Sequence, residues 1–298
     1  MVGFYDPNVP SQPGLDKFSS PESLISKAQA VIVSVPPRNA PDYVAKALKS
    51  KRHVFCEKPA AISVDPLERI RSLTDQGCVL AYGFNHRQHD SIRKIKGLVD
   101  GESLGRVLWM RGRYGKEVGS GYEDTWRCNK DLNGGGIIID QGIHMVDLMS
   151  YIAGGFDGAQ AVLSNNYLNL PEIEDNGFIT LYSHSTKISA SIHSTITQWR
   201  YLFSLEIFLE RGSIILNGLR TKSGNYGDEI LTIKPNNKYK GSDLEQTIEY
   251  SENVSWQIEI DEFISSIKEQ RDYNYSNIDD AIETTKLVDL IYEKAVWV

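Results

Sequence analysis

The chain has 298 residues and a mass of 33.5 kDa, which is enough for two domains with substantial cores. Its net charge of −7 and the lack of any basic block argue against nucleic acid as a partner. No apolar run approaches the roughly 18 residues of a membrane helix, so no membrane partner is expected. The N-terminus does not resemble a secretory signal, and the three cysteines have neither disulfide nor zinc spacing. We therefore predict a cytoplasmic protein with reduced thiols and no bound metal.

Short apolar runs alternate with amphipathic segments in the first part of the chain, and this alternation predicts a parallel sheet with helices on both sides. The continuous β-branched run at 30–35 predicts a strand that is covered on both faces. Ligands of such sheets bind at the carboxyl ends of the strands, which is where Asp6, Pro36 and Lys58 fall. The strands are predicted at 2–5, 30–35, 53–56 and 79–84, and the helices from 21, at 42–50 and at 66–76.

From about residue 105 the runs become longer and alternate apolar with polar residues, which predicts an antiparallel sheet. The predicted fold is therefore an incomplete, Rossmann-like α/β domain over 1–86, followed by an α+β domain over 87–298 with a large, open, mainly antiparallel sheet. The outer sheet face, with Trp109, Phe203 and Ile207, is expected to form a homodimer or homotetramer. The strands are predicted at 106–114, 177–182, 187–197, 202–209 and 213–216, and the helices at 138–153, 256–269 and 279–296, the last able to pack back on the first domain.

Two short motifs carry the chemistry. Lys58, beside Pro59 at the end of a buried strand, should be desolvated, and desolvation lowers the pKa of an amine toward the range useful in catalysis. Asp140 and His144 are spaced i,i+4 on a helix, so the carboxylate can hold the imidazole or share a substrate hydroxyl with it. The glycines at 134–136 allow the chain to approach a ligand closely just before that helix.

One expected element is missing. A dinucleotide-binding domain should open with a strand, a G-x-G-x-x-G loop and a helix, and no such loop occurs in the chain. Two explanations stay open: the recorded sequence starts at an internal methionine, or the protein is shortened and has a weakened cofactor site. Genomic DNA upstream of Met1 would distinguish them.

The motifs resemble those of the Gfo/Idh/MocA family of nicotinamide-dependent sugar and cyclitol dehydrogenases, over nearly the whole chain. The matching segments are 31–37 (VIVSVPP), 53–59 (HVFCEKP) and 134–144 (GGGIIIDQGIH). The resemblance implies that Lys58 contacts the reacting hydroxyl, that His144 is the general acid/base and that Asp140 is its partner or a substrate anchor. The chain departs from the family after Pro37, where a histidine is common and Arg38 stands here.

The same resemblance implies a cofactor, NAD or NADP, and a sugar-type substrate. NAD is favoured because Asp6 can bind the ribose 2′-hydroxyl and would repel a 2′-phosphate. The cofactor contacts implied are Asp6, Pro36, Glu57 and Lys58. The substrate contacts implied are Asn85, Arg87, Trp126, Arg127, Asp140 and His144.

An alternative function is a non-catalytic relative that senses a sugar or a dinucleotide and regulates a partner. The Lys58, Asp140 and His144 set argues against it, and the missing glycine loop argues for it. His89, His184 and His193 favour structural or surface roles, whereas His86 lies with Asn85 and Arg87 after the strand at 79–84, at the rim of the expected site. For Asp147 a salt bridge or a cap is as good an interpretation as a catalytic role.

Overall fold

The structure, a computed structural model, describes residues 2–74, 77–236 and 245–298. Its first part contains a three-stranded parallel sheet in the order β3-β4-β5 and a separate parallel pair, β1-β2. The helices cover the sheet, so the predicted parallel α/β organisation is confirmed. The predicted helix end at Gln76 lies outside the described residues. The elements are β1 (Gly3–Phe4), β2 (Asp16–Lys17), α1 (Pro21–Lys27), β3 (Ala30–Val33), α2 (Ala40–Lys49), β4 (His53–Glu57), α3 (Val64–Arg71) and β5 (Leu80–Gly83).

Two predictions for this part were wrong. The first strand does not join the three-stranded sheet, because its only partner in the described chain is the pair Asp16–Lys17. The strand β3 is not covered on both faces, since Ile32 is 59% exposed. β3 forms an edge of its sheet, and Ala30 and Ile32 on its outward face are exposed.

Local sequence explains where the helices begin. The Ser20 hydroxyl accepts from the backbone N–H of Ser23, and the Ser23 hydroxyl accepts from the backbone N–H of Ser20, so a capping box starts α1. Proline occupies the first turn of α2, where its missing N–H is harmless. Asn277 starts the last helix in the same way as Ser20 starts the first.

The second part is built on one nine-stranded sheet in the order β13-β12-β11-β10-β6-β9-β8-β7-β14. Most pairs are antiparallel, as predicted, and β6-β9 and β7-β14 are parallel. The helix predicted at 279–296 ends at Glu293, and residues 295 and 296 belong instead to the edge strand β14. The elements are α4 (Asp90–Asp100), β6 (Val107–Gly115), α5 (Lys130–Asn133), α6 (Ile143–Ala153), β7 (Gly158–Ser164), β8 (Asn176–Tyr182), β9 (Ser189–Thr195), β10 (Leu202–Leu209), β11 (Gly212–Asn217), β12 (Glu229–Pro235), β13 (Gln246–Tyr250), α7 (Ser255–Glu269), α8 (Ile278–Glu293) and β14 (Ala295–Trp297).

The division into two domains at residue 86 stays a prediction. Side chains from residues beyond 86 pack into both cores. Ile139 and Ile143 pack into the core of the first sheet, whereas Ile138 and Met145 pack into the core of the large sheet. The segment that carries Asp140 and His144 therefore lies at the junction of the two cores. The last helix, α8, also contributes side chains to both cores.

The outer face of the large sheet differs from the prediction. Trp109 is 40% exposed, but Phe203 and Ile207 are buried, at 1% and 0% exposure. Alternation along β10 turns both of these side chains toward the core, and its neighbour Phe208 stacks on Trp109 instead.

The glycine run at 134–136 packs against protein rather than presenting open backbone. A Cβ on Gly135 would lie 2.1 Å from the hydroxyl of Tyr292, and one on Gly136 would lie 2.0 Å from the carbonyl oxygen of Glu174. The buried carboxylate of Glu174 accepts hydrogen bonds from the N–H groups of Gly136 and Ile138 and from the Tyr292 hydroxyl. The expectation that these glycines admit a ligand is therefore corrected: they admit the loop at 174 and the helix α8.

Candidate active site

Lys58 follows β4, at the carboxyl edge of the three-stranded sheet. Its ammonium donates to the backbone carbonyl oxygen of Asp140 at 2.6 Å, which ties the end of the first sheet to the helical segment of the second part. Burial lowers the pKa of Lys58, and the charges of Lys116 and Arg127 act in the same direction, against Asp140 and Glu57. This matches the predicted desolvation at the strand end.

Asp140 lies in a π-helical turn, Ile138–Gly142, that leads into α6. Its carboxylate accepts from Lys116 Nζ at 3.0 Å and from Arg127 Nε at 3.1 Å, with the Tyr122 hydroxyl at 3.5 Å. Burial raises the pKa of Asp140, but the positive charges of Lys116, Lys58 and Arg127 outweigh it and hold the pKa below its usual value. Asp140 is therefore a carboxylate at neutral pH.

His144 begins the first turn of α6 and is 6% exposed. Burial lowers its pKa well below the ordinary range, and His86, Lys58 and His89 lower it further. The ring is therefore neutral at neutral pH and can accept a proton. Its Nδ1 is buried and has no hydrogen-bond partner in the described chain.

The predicted contact between Asp140 and His144 is not formed. Asp140 lies in the π turn and His144 in the α-helix that follows it, and the two side chains have different partners. The carboxylate turns to Lys116 and Arg127, and the imidazole of His144 stacks on His86. The two groups still lie in one site, because Lys58 is near both.

Arg87 was predicted to bind substrate, and the structure assigns it a structural role. The guanidinium is 4% exposed and donates to Asp147, Asp280 and the carbonyl oxygen of Tyr275. These bonds use its Nε and both terminal nitrogens, so no free nitrogen remains for a ligand. Asp147 is thus a salt-bridge partner.

The other predicted substrate contacts lie around the same site. Asn85 is half-buried; its Oδ1 is 3.1 Å from His86 Nδ1, and its amide donates to Ser255. The guanidinium of Arg127 lies 4.4 Å from the ring centre of Trp126, and the Arg127 side chain is 41% exposed. Arg127 therefore reaches both the Asp140 carboxylate and solvent.

The predicted cofactor contacts are spread over two sheets. Pro36 follows β3, and Glu57 and Lys58 follow β4, along one carboxyl edge. Burial raises the pKa of Glu57. Asp6 lies beyond the separate β1 strand, and its Oδ1 accepts from the N–H groups of Asn8 and Val9.

The residues present fit the nicotinamide end of a dinucleotide better than its diphosphate. The buried Lys58 ammonium and the unpartnered Nδ1 of His144 are polar groups poised at a strand end, as a reacting hydroxyl would require. The glycine loop that would hold the diphosphate is not in the sequence. Within the described ranges, no cluster of His, Cys, Asp and Glu could hold a metal ion, and no helix is long and apolar enough to cross a membrane.

Several site residues escaped the sequence analysis. Lys116 directly follows β6, and Tyr114 lies within it, so both looked like members of an alternating strand. Tyr226 and Gln141 bond to each other beside Tyr114. One signal for these residues was present in the sequence: Tyr114 stands on the apolar face of its strand, and a buried phenol needs a hydrogen-bond partner nearby.

Comparison with known families agrees with this geometry. The profile described as "Oxidoreductase family, NAD-binding Rossmann fold" matches residues 3–84, and the profile described as "GFO/IDH/MocA C-terminal domain" matches residues 92–215. Both belong to one family, and together they cover most of the chain.

Individual relatives share a quarter to a third of their residues with this chain over the aligned parts. The chain is 26% identical to myo-inositol 2-dehydrogenase of Thermotoga maritima, over 81% of this chain and 75% of that protein. It is 25% identical to an uncharacterized oxidoreductase, YrbE, of Bacillus subtilis, over 76% and 67% of the two chains. It is 31% identical to D-glucoside 3-dehydrogenase of Escherichia coli, but the match spans only 43% of that relative's length and 50% of this chain.

Solved structures share the fold. Levoglucosan dehydrogenase in complex with NADH and levoglucosan superimposes with a TM-score of 0.82 at 20% identity, covering 94% of this chain and 82% of that one. A 3-ketoreductase from Actinomadura kijaniata gives a TM-score of 0.80 at 17% identity, covering 96% and 84%. With both family profiles matched and the fold shared, this chain belongs to the Gfo/Idh/MocA family of oxidoreductases.

Proposed function

We propose that the protein is an NAD(P)-dependent oxidoreductase that acts on a secondary alcohol of a sugar, cyclitol or sugar nucleotide. The observation that carries the proposal is the convergence of Lys58, Asp140 and His144 at the carboxyl edge of the parallel sheet. Relatives named as dehydrogenases of sugars and of myo-inositol support the same substrate class.

The nicotinamide, when bound, supplies the hydride chemistry, and the protein has to place and move a proton. His144 is neutral, so it can take the hydroxyl proton during oxidation and return it during reduction. Lys58 is the second candidate for this step, because burial lowers its pKa. Its ammonium form can also donate to the reacting oxygen and stabilise negative charge there.

Asp140, Lys116 and Arg127 are assigned to holding the substrate. A carboxylate with cations on two sides can accept from one sugar hydroxyl while the cations donate to others. Trp126 offers a ring face beside Arg127 for the apolar face of a sugar. Asp6 supports NAD over NADP, because its Oδ2 has no hydrogen bond among the described residues and can accept from a ribose hydroxyl.

His144→Ala separates an enzyme from a sensor. If the imidazole moves the proton, turnover should fall by about 10²–10⁴-fold while substrate affinity changes little, since the imidazole acts mainly in the transition state. Absorbance at 340 nm with a panel of sugars, cyclitols and sugar nucleotides measures turnover, and calorimetry measures binding. Clear sugar binding by the parent protein without hydride transfer to any substrate, at a cofactor concentration that saturates the protein in calorimetry, would favour the sensing function.

Dinucleotide binding by the 298-residue chain is expected to be weak. The backbone N–H groups that hold a diphosphate at a helix N-terminus are supplied by the glycine loop, which this sequence lacks. Calorimetric titration with NADH and NADPH measures both affinities. Low-micromolar binding would show that the glycine loop is dispensable here, and a preference for NADPH would contradict the role proposed for Asp6.

The outer face of the large sheet is proposed to pair two copies of the chain. Val296, Val162 and Phe178 are neighbours across three strands and are 60%, 43% and 54% exposed. Such a patch is costly on a monomer. Light scattering at micromolar concentration should give at least a dimer mass, and Phe178→Asp should shift it toward the monomer, whereas a monomer mass for the parent contradicts the proposal.

A further inference from the structure

The ring of His86 lies flat against the ring of His144. Their centroids are 3.8 Å apart and their planes differ by 16°. The other aromatic neighbour of His144, Tyr114, has its ring centroid 6.2 Å away, and the Nδ1 of His144 has no hydrogen-bond partner in the described chain. The orientation of His144 therefore depends on stacking and not on a carboxylate or carbonyl partner.

His86 is itself fixed at both nitrogens. Nδ1 is 3.1 Å from Asn85 Oδ1, and Nε2 is 2.9 Å from the hydroxyl of Tyr114. An amide oxygen only accepts, so Nδ1 carries the proton, and Nε2 accepts from Tyr114. Burial raises the pKa of Tyr114 to about 12, so the phenol keeps its proton and remains a donor.

Other rings keep His86 in place. His89 and Tyr114 have their centroids 5.6 Å from it, and Phe203 lies at 6.3 Å. His89 in turn is held by the buried carboxylate of Glu229 at 2.9 Å. His86 thus presents one ring face that cannot rotate away from His144.

We propose that His86 is a positioning residue whose neutral ring holds the imidazole of His144 in place for proton transfer without carrying the proton itself. This inference rests on the proposed function. Two bonded nitrogens and nearly complete burial keep His86 from exchanging protons with a substrate. The charged or titratable groups that act on His144 are His86, Lys58 and His89, and burial lowers the pKa of His86 well below its usual range.

Two substitutions separate the ring of His86 from its hydrogen bonds. His86→Phe keeps a flat ring and loses both bonds, whereas His86→Gln keeps polar groups and loses the ring. We expect His86→Gln to lower kcat by about 10²-fold, because misplacing a catalytic group costs about that much, with KM nearly unchanged. His86→Phe should keep most of kcat, with the acid limb of the pH profile of kcat/KM unmoved. His184→Gln, at a side chain that is 77% exposed, is the matched control and should change neither quantity.

Proton NMR provides a readout that does not need turnover. The ring signals of His144, identified by their loss in His144→Ala, should carry a ring-current shift from His86. We expect that shift to survive in His86→Phe and to disappear in His86→Gln, with melting temperatures recorded to confirm that each variant is folded.

The inference is overturned if His86→Gln keeps the parental kcat. It is also overturned if His86→Phe loses as much activity as His86→Gln and moves the acid limb, since His86 would then be part of the titrating pair. If the parent protein transfers no hydride to any substrate, the proposed function fails and the spectra decide. An unmoved His144 signal in His86→Gln then refutes the stacking role, and a shifted signal supports it.

Discussion

Lys58→Met should lower turnover by about 10²–10⁴-fold, the cost of losing one positioned acid/base. Methionine keeps the length and apolar stem of the side chain but cannot donate to the reacting oxygen or to the Asp140 carbonyl. The fold should survive, because removing a buried ammonium also removes its desolvation cost. Absorbance at 340 nm with the best substrate of the parent protein is the measurement, with circular dichroism as the check on folding.

Lys46→Met is the matched control for this substitution. Lys46 is a surface lysine that pairs with Glu22, and its side chain is 49% exposed, so its loss should leave turnover unchanged. Both variants are best compared in the 298-residue chain and in a chain extended by a strand and glycine loop, should its gene encode them upstream. A Lys58→Met protein with more than half of the parental activity would give Lys58 a structural role.

Gly136→Ala should destabilise the protein by more than about 3 kcal/mol or prevent its accumulation. The added Cβ would lie 2.0 Å from the carbonyl oxygen of Glu174 and 2.8 Å from its nitrogen, and backbone atoms cannot rotate away as a side chain can. Moving the Glu174 backbone away from the new Cβ would also break the hydrogen bonds that the N–H groups of Gly136 and Ile138 donate to the Glu174 carboxylate. Urea unfolding, followed by circular dichroism, measures the free energy of unfolding.

Gly97→Ala tests whether a glycine-to-alanine change is harmful in itself. Gly97 is exposed within α4, and a Cβ there meets no atom within 4 Å. Alanine should therefore raise the free energy of unfolding by about 0.5–1 kcal/mol, since it is the better helix former. Equal stability of Gly136→Ala and the parent would mean that the loop at Glu174 can move aside.

The sequence predicted those strands and helices whose apolar pattern lies within the element itself. Strands with continuous apolar runs, such as β4 and β5, and the long helices α7 and α8 were recognisable because periodicity and end signals agreed. The exposed face of β3 was not predictable, since the pattern of a strand does not say whether it ends as an edge. The inward face of β10 was assignable, because Phe203 and Ile207 alternate with the polar Ser204 and Glu206.

The site was predicted only in part, because short motifs identify single residues but not the partners that come from other elements. Lys58, Asp140 and His144 were identified from short motifs, and the structure brings them together. Their actual partners come from other elements: Lys116 from the end of β6, and His86 from the turn after β5. Neither pairing could be predicted from the sequence, because a contact between elements that are distant along the chain leaves no mark in the local apolar pattern.

The helix α8 has a consequence for how the molecule loses its structure. Ile282 and Val288 pack with the small parallel sheet, Leu287 and Ile291 pack with the large one, and the chain then continues into β14 beside β7. Neither half can melt alone while this helix keeps its contacts, so the two halves should unfold in a single cooperative transition. Cooperativity of this kind keeps Lys58 on one half aligned with His144 on the other, because complete unfolding of either half also breaks the packing of α8 on the other.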